Sequence, residues 1–403
     1  MAQQKYRRLT SHSPLFRALI ALHVTVVAAG LGAVLYMEQQ GHGVTGMTNQ
    51  IVWGMPHVFA VFLIVAASGA LNVASVSSVF NRLAYKPFAR LSGILAIALL
   101  VGGLTVLVLD LGRPERVFVA MTTYNFKSVF AWNIYLYSGF VAIVLGYLYS
   151  MMDRRTSQIP RVNTVFGWTA FTWRLILTAG TGSIFGFLVA REAVFGAIMA
   201  PLFIASSLVY GLAFTVLVLM TMSFETSDEL CNAEMTAKFR GLLIIFSAAT
   251  LFLTAIAHLN KFYGTATQGV ELFLLRDGGI YPLIFWLGQI VIGSLTPLAL
   301  LAFMSEGSAG RRNLGLASVL FLVGGLAQMY ATIIGAQAYP LNIFPGFEVS
   351  SSFFDGAINS YTPSAPEILL GISGVSVAML ITALAFRLLP FLPQSPAKSG
   401  ARM

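Results

Sequence analysis

Residues 91–109 read LSGILAIALLVGGLTVLVL, an apolar run with no charged side chain that ends at Asp110. A helix needs about 20 such residues to cross the hydrocarbon core of a bilayer. The run is continuously apolar and does not alternate with polar residues, which favours a helix over a strand of a membrane barrel. This stretch therefore predicts a transmembrane helix.

The same pattern recurs along the whole chain. We predict spans at 16–38, 56–79, 89–110, 128–151, 165–189, 197–223, 241–262, 280–303, 314–338 and 365–388. Of the 403 residues, 57% are hydrophobic and 10% are charged, whereas charged residues make up about 25% of a soluble domain. The sequence thus predicts an all-α, polytopic bundle of about ten spans. It forms one transmembrane domain over 1–403, with an amino-terminal tail at 1–15 and a carboxyl-terminal tail at 389–403.

The net charge of +9 follows the predicted topology. Seventeen of the 24 Lys and Arg residues fall on one side: Lys5, Arg7, Arg8, Arg17, Arg82, Lys86, Arg90, Arg154, Arg155, Arg161, Lys238, Arg240, Arg311, Arg312, Arg387, Lys398 and Arg402. The positive-inside rule places that side, and both termini, in the cytoplasm. We therefore expect a multi-pass protein of a bacterial cytoplasmic membrane. It contacts the lipid bilayer and binds no nucleic acid. The first segment is interpreted as a retained helix and not a cleaved signal peptide.

Cysteine content limits the chemistry, because Cys231 is the single cysteine. A single cysteine excludes a disulfide framework, a cysteine-ligated zinc and an iron–sulfur cluster held by this protein alone. The sequence contains no phosphate-binding loop, metalloprotease helix or nucleophile elbow either. We predict no metal site.

Two external connections, 39–55 and 339–363, contain no Lys or Arg and are rich in small, hydroxyl and aromatic residues. Such segments suit re-entrant or interfacial structure that covers a site at the outer membrane surface. Ordinary extracytoplasmic loops are the alternative. The sequence leaves both interpretations open.

A charged cluster follows the third span. Asp110 to Arg116 contains four charges in seven residues, and the loop closes with Asn125 and Ser128 before Trp132 re-enters the membrane. One interpretation is a salt-bridged interfacial loop with Trp132 in an aromatic belt. The other is a pocket whose carboxylate, guanidinium and amide groups bind the oxygens of a ligand with a lipid-soluble body.

Arg174 lies inside the fifth predicted span, where a charge costs at least about 2.5 kcal/mol. Either it binds carbonyls or a polar ligand near the midplane, or 162–173 forms an interfacial helix, the crossing starts near Trp173 and the side chain snorkels inward. We consider it a candidate for lining a proton path.

Histidines supply the remaining candidates. His57 and His258 lie near predicted outer helix ends and could match in depth, as two haem ligands would. We prefer to interpret His258 as a hydrogen-bonding or titratable group at the surface that Asp110 faces. Tyr263 follows it closely in sequence, at the same predicted helix end. Groups of this kind suit a quinone site, which needs a proton donor or acceptor beside each carbonyl and an aromatic wall.

These stretches resemble a known family. The run Leu109 to Arg116, with Asn125 and Ser128 to Trp132, is similar to the signature of the NrfD/PsrC family, the quinone-interacting membrane subunits of multi-subunit redox complexes. Trp53-Gly54, Ser68-Gly69, Arg191-Glu192-Ala193 and Pro201-Leu202-Phe203 agree with it in order. The carboxyl-terminal stretches 335–346 and 387–393 look most like the DsrP branch, which belongs to the DsrMKJOP complex of dissimilatory sulfur metabolism.

The resemblance implies a bound quinone, menaquinone or ubiquinone, near the extracytoplasmic surface, and no haem or iron–sulfur cluster in this protein. It also implies a ferredoxin-like iron–sulfur subunit on that side, with further membrane and cytochrome subunits. Asp110 and His258 are then expected to handle protons and Arg174 to line the proton path. The quinone would contact His57, Arg113, Asn125, Ser128, Trp132, Glu192 and Tyr263. A secondary transporter or a purely structural membrane anchor is the rival interpretation.

Overall fold

The computed structural model describes residues 5–10, 13–153, 155–156, 159–226, 229–303, 307–341 and 356–394. Ten long helical segments, numbered in sequence order, run through these residues. They are α1 (Pro14–Gln40), α2 (Met55–Ser78), α3 (Leu83–Leu109), α4 (Val129–Met152), α5 (Pro160–Gly186), α6 (Met199–Thr226), α7 (Ala233–Tyr263), α8 (Ile280–Ala302), α9 (Gly307–Ala338) and α10 (Ala365–Leu388). Shorter helical turns are His42–Val44, Pro114–Arg116, Val117–Thr122, Gln268–Leu272 and Phe273–Asp277.

Within the described residues, nine of the ten segments are long and apolar enough to cross a membrane. The other, α5, has the length, but Arg174 and several threonines interrupt its apolar character. The predicted all-α bundle of about ten spans is confirmed.

Several boundaries differ from those predicted. Helix α7 begins at Ala233, eight residues before the predicted 241, because the side chain of Asn232 accepts a hydrogen bond from the Met235 amide at 2.9 Å and caps a polar first turn. The connection 263–279, between the seventh and eighth predicted spans, contains the helical turns Gln268–Leu272 and Phe273–Asp277. A helical connection can bury side chains that a solvated loop would expose.

A short sheet joins the two ends of the described structure. Strand β1 (Tyr6–Arg7) pairs antiparallel with β2 (Leu392–Pro393), and the Leu9 amide donates to the Phe386 carbonyl at 2.8 Å. Both ends therefore lie at one end of the bundle, as an even number of crossings requires. Their cytoplasmic location stays a prediction.

Helices α2 and α6 form the centre of the bundle, whereas α1 and α4 lie at its edge. Of the 18 most apolar consecutive residues in α2, 94% are buried, against 17% of those in α1 and in α4. Glycines permit the central contact: a Cβ added at Gly69 would lie 1.6 Å from the Ser207 carbonyl oxygen, and one at Gly211 would lie 1.9 Å from the Ala70 nitrogen. Small residues let transmembrane backbones approach closely in this way.

Three stretches adopt π-helical geometry: Phe273–Asp277, Ile284–Leu295 in α8 and Ala331–Gly335 in α9. Wider turns of this kind are frequently found at functional sites. All three contribute residues to the cavities described next.

Candidate functional site

His57 and Asp110 meet at one end of the bundle. His57 lies in the first turn of α2, and Asp110 directly follows the last residue of α3. His57 Nδ1 lies 2.9 Å from Asp110 Oδ2, and the carboxylate side chain is 1% exposed. The approach lies outside hydrogen-bond geometry, so both carboxylate oxygens and Nδ1 have no hydrogen-bond partner among the described residues. A buried carboxylate in that state is a strong acceptor for a proton, a water molecule or a ligand hydroxyl.

An aromatic wall lies beside this pair. The Trp53 ring stacks on the His57 imidazole, with centroids 5.8 Å apart and planes 14° apart. Phe130 and Phe185 contact the same indole edge-on, at 5.5 and 5.9 Å. Trp53 and Phe185 also line a cavity of about 510 Å³, its opening included, which we call the Trp53 cavity. It is lined by Val52, Trp53, Phe185, Leu188, Arg191, Val194, Thr332, Ile333, Ala336 and Gln337.

Arg191, in the connection between α5 and α6, links the segments that form the wall of this cavity. Its guanidinium donates to the carbonyl oxygens of Gln337 at 2.9 Å and Gln50 at 3.0 Å. The Gln337 side chain in turn accepts from the Val52 and Trp53 amides at 3.0 and 3.1 Å. Burial lowers the pKa of Arg191 below its usual range. Part of the external connection 39–55 is thus folded into the end of the bundle as a wall of the cavity.

A second histidine and carboxylate pair lies on the other half of the bundle. His258 Nδ1 contacts Glu271 Oε1, and the Glu271 side chain is fully buried. Glu271 Oε2 has no hydrogen-bond partner among the described residues. The Phe285 ring packs edge-on against the His258 imidazole, with centroids 4.7 Å apart.

His258 lines a cavity of about 580 Å³, its opening included, which we call the His258 cavity. Lys261, Phe285, Gln289 and Gln328 are among its other lining residues. Val194, Thr332 and Ala336 line both this cavity and the Trp53 cavity. The two cavities therefore adjoin, with one histidine and carboxylate pair beside each.

Lys261 is buried beneath this region and donates to the backbone carbonyl of Glu192 at 2.8 Å and to that of Ala193. Glu192, predicted to contact the ligand, is half-buried and contributes its backbone carbonyl here. The connection 187–198 is consequently fastened on one side by Arg191 and on the other by Lys261.

Several predicted residues lie away from both cavities. Arg113 is exposed and forms no ion pair with Asp110 among the described residues. The Asn125 side chain accepts from the Lys127 amide at 3.1 Å within the loop, and Ser128 caps α4 through the Ala131 amide. Trp132 is 49% exposed and donates to the Phe126 carbonyl at 2.9 Å. Tyr263 is 92% exposed.

Arg174 lies in the interior of a continuous α5, where it is 3% exposed. Its Nη2 donates to Asn72 Oδ1 at 3.0 Å, and its guanidinium lies over the Phe171 ring. Nε and Nη1 have no hydrogen-bond partner among the described residues. The structure therefore shows no separate interfacial helix before Trp173, and Arg174 lines neither cavity.

Sequence reasoning missed three buried carboxylates, Glu225, Glu271 and Glu367. Glu367, at the start of α10, accepts from the Tyr361 hydroxyl and from the Gly46 and Ser364 amides at 2.7 to 2.8 Å. Burial, with the hydrogen bond to Glu367, raises the pKa of Tyr361. Glu367 lies in the first turn of the predicted span 365–388, whereas Glu271 lies in the connection between the predicted spans 241–262 and 280–303. The other part of the predicted outer cover, 342–355, lies outside the described residues.

The described residues contain no group of three or more His, Cys, Asp or Glu side chains that could hold a metal ion. The site is instead two cavities of mostly apolar lining: His258 lines one, and the His57 and Asp110 pair lies behind Trp53, which lines the other. Fold and site together define a polytopic α-helical membrane protein with a polar and aromatic site at one end of its bundle.

The chain belongs to the NrfD family: the family model described as "Polysulphide reductase, NrfD" matches residues 43–340. It is 27% identical over 397 residues to the Hdr-like menaquinol oxidoreductase integral membrane subunit of Archaeoglobus fulgidus, with 97% of each protein covered. The menaquinone reductase integral membrane subunit of Nitratidesulfovibrio vulgaris is 24% identical, over 91% of this protein and 89% of that one. The NrfD homologue of Haemophilus influenzae is 23% identical, over 72% and 96% of the two proteins.

Proposed function

We propose that this chain is the quinone-interacting membrane subunit of a redox complex and that the Trp53 and His258 cavities form its quinone site. The observation that carries the proposal is the pair of adjoining cavities: His258, which contacts the buried Glu271, lines one, and Trp53, which stacks on His57 beside the buried Asp110, lines the other. The names of the relatives, a menaquinol oxidoreductase and a menaquinone reductase subunit, support the ligand class.

The chemistry fits the residues. A quinone that is reduced takes up two electrons and two protons, and its hydroquinone releases the same number on oxidation. Trp53, Phe185 and Phe285 supply flat apolar surfaces for a ring. His57 with Asp110, and His258 with Glu271, supply one proton-exchanging pair for each carbonyl end of the ring. The Arg191 guanidinium lies in the wall of the Trp53 cavity, where it supplies positive charge beside a ligand carbonyl.

The electrons require a partner. Cys231 cannot hold a cluster alone, so we propose that a ferredoxin-like iron–sulfur subunit docks at the end of the bundle that contains the cavities. The distribution of basic residues predicts that this end lies outside the cytoplasm. Cytochrome and further membrane subunits complete the proposed complex in a bacterial cytoplasmic membrane. A role in sulfur metabolism, as in the DsrP branch, is proposed from the carboxyl-terminal resemblance.

Binding of a quinone analogue to the purified complex tests the site. We expect Asp110→Asn to weaken binding or turnover by at least about tenfold. Tyr263→Phe, on an exposed side chain outside the cavities, is the matched control and is expected to behave as the wild type. Unchanged binding and turnover in both Asp110→Asn and Glu271→Gln would overturn the proposed site.

A further inference from the structure

Lys261, in the last turn of α7, is a buried cation that faces the His258 cavity. It is 6% exposed, and Arg174 is the other buried Lys or Arg among the described residues. Arg174 lines neither the His258 cavity nor the Trp53 cavity. Burying a positive charge is costly unless oxygen atoms compensate it, so the contacts of the Lys261 ammonium are informative.

The ammonium has one N–H left for a ligand. A lysine ammonium carries three N–H donors. Two of them reach the backbone carbonyls of Glu192 and Ala193, and Lys261 forms no third hydrogen bond and no ion pair among the described residues. The carboxylates of Glu271 and Glu192 act on its charge from beyond ion-pair distance. The ammonium is therefore part of the cavity wall with one donor unused and no ion-pair partner.

Lys261 and His258 lie on the same face of α7. They are three residues apart, which corresponds to about 4.5 Å along a helix axis, and Thr254 and Ala257 are the other α7 residues that line this cavity. Phe285 packs edge-on against the His258 imidazole and also lines the cavity. A ring oxygen at this wall therefore has an imidazole on one side and an ammonium on the other.

Proton transfer at the proposed site changes where the negative charge lies. A hydroquinone hydroxyl that gives its proton to the His258 and Glu271 pair keeps the electron pair of the O–H bond and becomes an oxyanion. The proton adds one positive charge to the pair, so the total charge of ligand and pair does not change. The Lys261 charge compensates the carboxylate before the transfer and the oxyanion after it. A fixed charge of this kind stabilises the developing anion without rearrangement.

We propose that Lys261 forms an oxyanion subsite in the His258 cavity, where its third N–H binds the anionic oxygen of a deprotonated hydroquinone. The inference rests on the proposed quinone function. The His258 and Glu271 pair takes the proton, Lys261 keeps its own proton and holds the oxygen, and the two electrons leave in a later step to the iron–sulfur partner. The same contact favours any ring ligand with an ionised hydroxyl over its neutral counterpart, because a hydrogen bond between charged groups is stronger than one to a neutral acceptor.

Two ring analogues that differ in charge test the subsite in the assembled complex. One is a naphthoquinone with a ring hydroxyl that is ionised at neutral pH, and the other is its methyl ether, which is neutral. Isothermal titration calorimetry measures the Kd of each. We expect the wild type to bind the anion more tightly than the ether. Lys261→Gln should weaken binding of the anion by about tenfold and leave binding of the ether within about twofold of the wild type. Lys261→Arg should restore tight binding of the anion.

Lys238→Gln is the matched control, because Lys238 lies at the opposite end of α7, outside the cavity lining, and pairs with Glu234. It removes the same charge and should leave both affinities at wild-type values. Equal weakening of both analogues in Lys261→Gln would overturn the subsite, because Lys261 would then act only by fastening the connection 187–198. Wild-type affinity for both analogues in Lys261→Gln would overturn it as well.

The wild type provides a test that requires no substitution. If the anion binds no more tightly than the neutral ether, the subsite is overturned even where Lys261→Gln does not assemble. The quinone site still stands in that case, because the ether is bound. If the wild type binds neither analogue, the quinone proposal itself fails, and the subsite fails with it.

Discussion

Glu271 lies against the imidazole of His258, thirteen residues earlier in the sequence, with its carboxylate wholly shielded from the surroundings. The contact forms because the backbone turns back through the short helix Gln268–Leu272 directly after α7. It repeats, on the other half of the bundle, the relationship between His57 and Asp110. Two titratable pairs at one end of an otherwise apolar bundle are the basis of the first two predictions.

Replacing Glu271 tests the second pair. Glu271→Gln keeps the volume of the side chain but removes the carboxylate that exchanges a proton with His258, so we expect turnover with a quinone analogue to fall about a hundredfold. Steady-state kinetics of the purified complex measure it. Glu234→Gln is the control, because Glu234 is exposed and pairs with Lys238 at the other end of α7. Equal turnover in the two variants would contradict the prediction.

Substitutions in the charged cluster after α3 distinguish a ligand site at the buried Asp110 from one at the exposed loop. Asp110 is buried beside His57, whereas Arg113 is exposed. We expect Asp110→Asn to lower turnover by at least about tenfold and Arg113→Leu to leave it within about twofold of the wild type. Titration with a quinone-site inhibitor and turnover assays on both variants provide the comparison. A larger loss in Arg113→Leu would place the ligand at the exposed loop instead of the cavities.

Glu367 is expected to act on stability. Its carboxylate accepts hydrogen bonds from Gly46, Tyr361 and Ser364, and its loss leaves buried donors unpaired. We expect Glu367→Ala to lower the free energy of unfolding by about 3 kcal/mol or more. A thermal denaturation midpoint in detergent reports the change. Glu38→Ala, on an exposed residue of α1, should leave the midpoint near that of the wild type, and a similar midpoint for Glu367→Ala would refute the assignment.

The contact between α2 and α6 is expected to tolerate no side chain at Gly69. A Cβ there would lie 1.6 Å from the Ser207 carbonyl oxygen, so Gly69→Val must separate the two central helices. We expect little assembled protein in the membrane fraction, measured by immunoblot and size-exclusion chromatography. Gly32→Val is the control, because nothing lies within 4 Å of a Cβ at Gly32 on the edge helix α1. Equal yields of the two variants would contradict the central role of this contact.

The sequence alone determined the class of fold and the family. Long uncharged runs identify membrane helices because the cost of exposing polar backbone to lipid is large and local. It also singled out Asp110, His57 and His258, since titratable groups at span ends are rare in so apolar a protein. A functional role could therefore be predicted for single residues from the sequence where those residues lie at the end of a predicted span.

Only the tertiary structure decided which of these residues meet. Arg113, Asn125 and Trp132 follow Asp110 closely in sequence, yet the turn after α3 directs them to the exposed loop. Glu271 lies in a segment that looks like a loop, and only the fold of Gln268–Leu272 buries it beside His258. The physical reason is that pairing across a bundle depends on helix rotation and on side-chain packing between segments distant in sequence, which hydropathy along the sequence does not record.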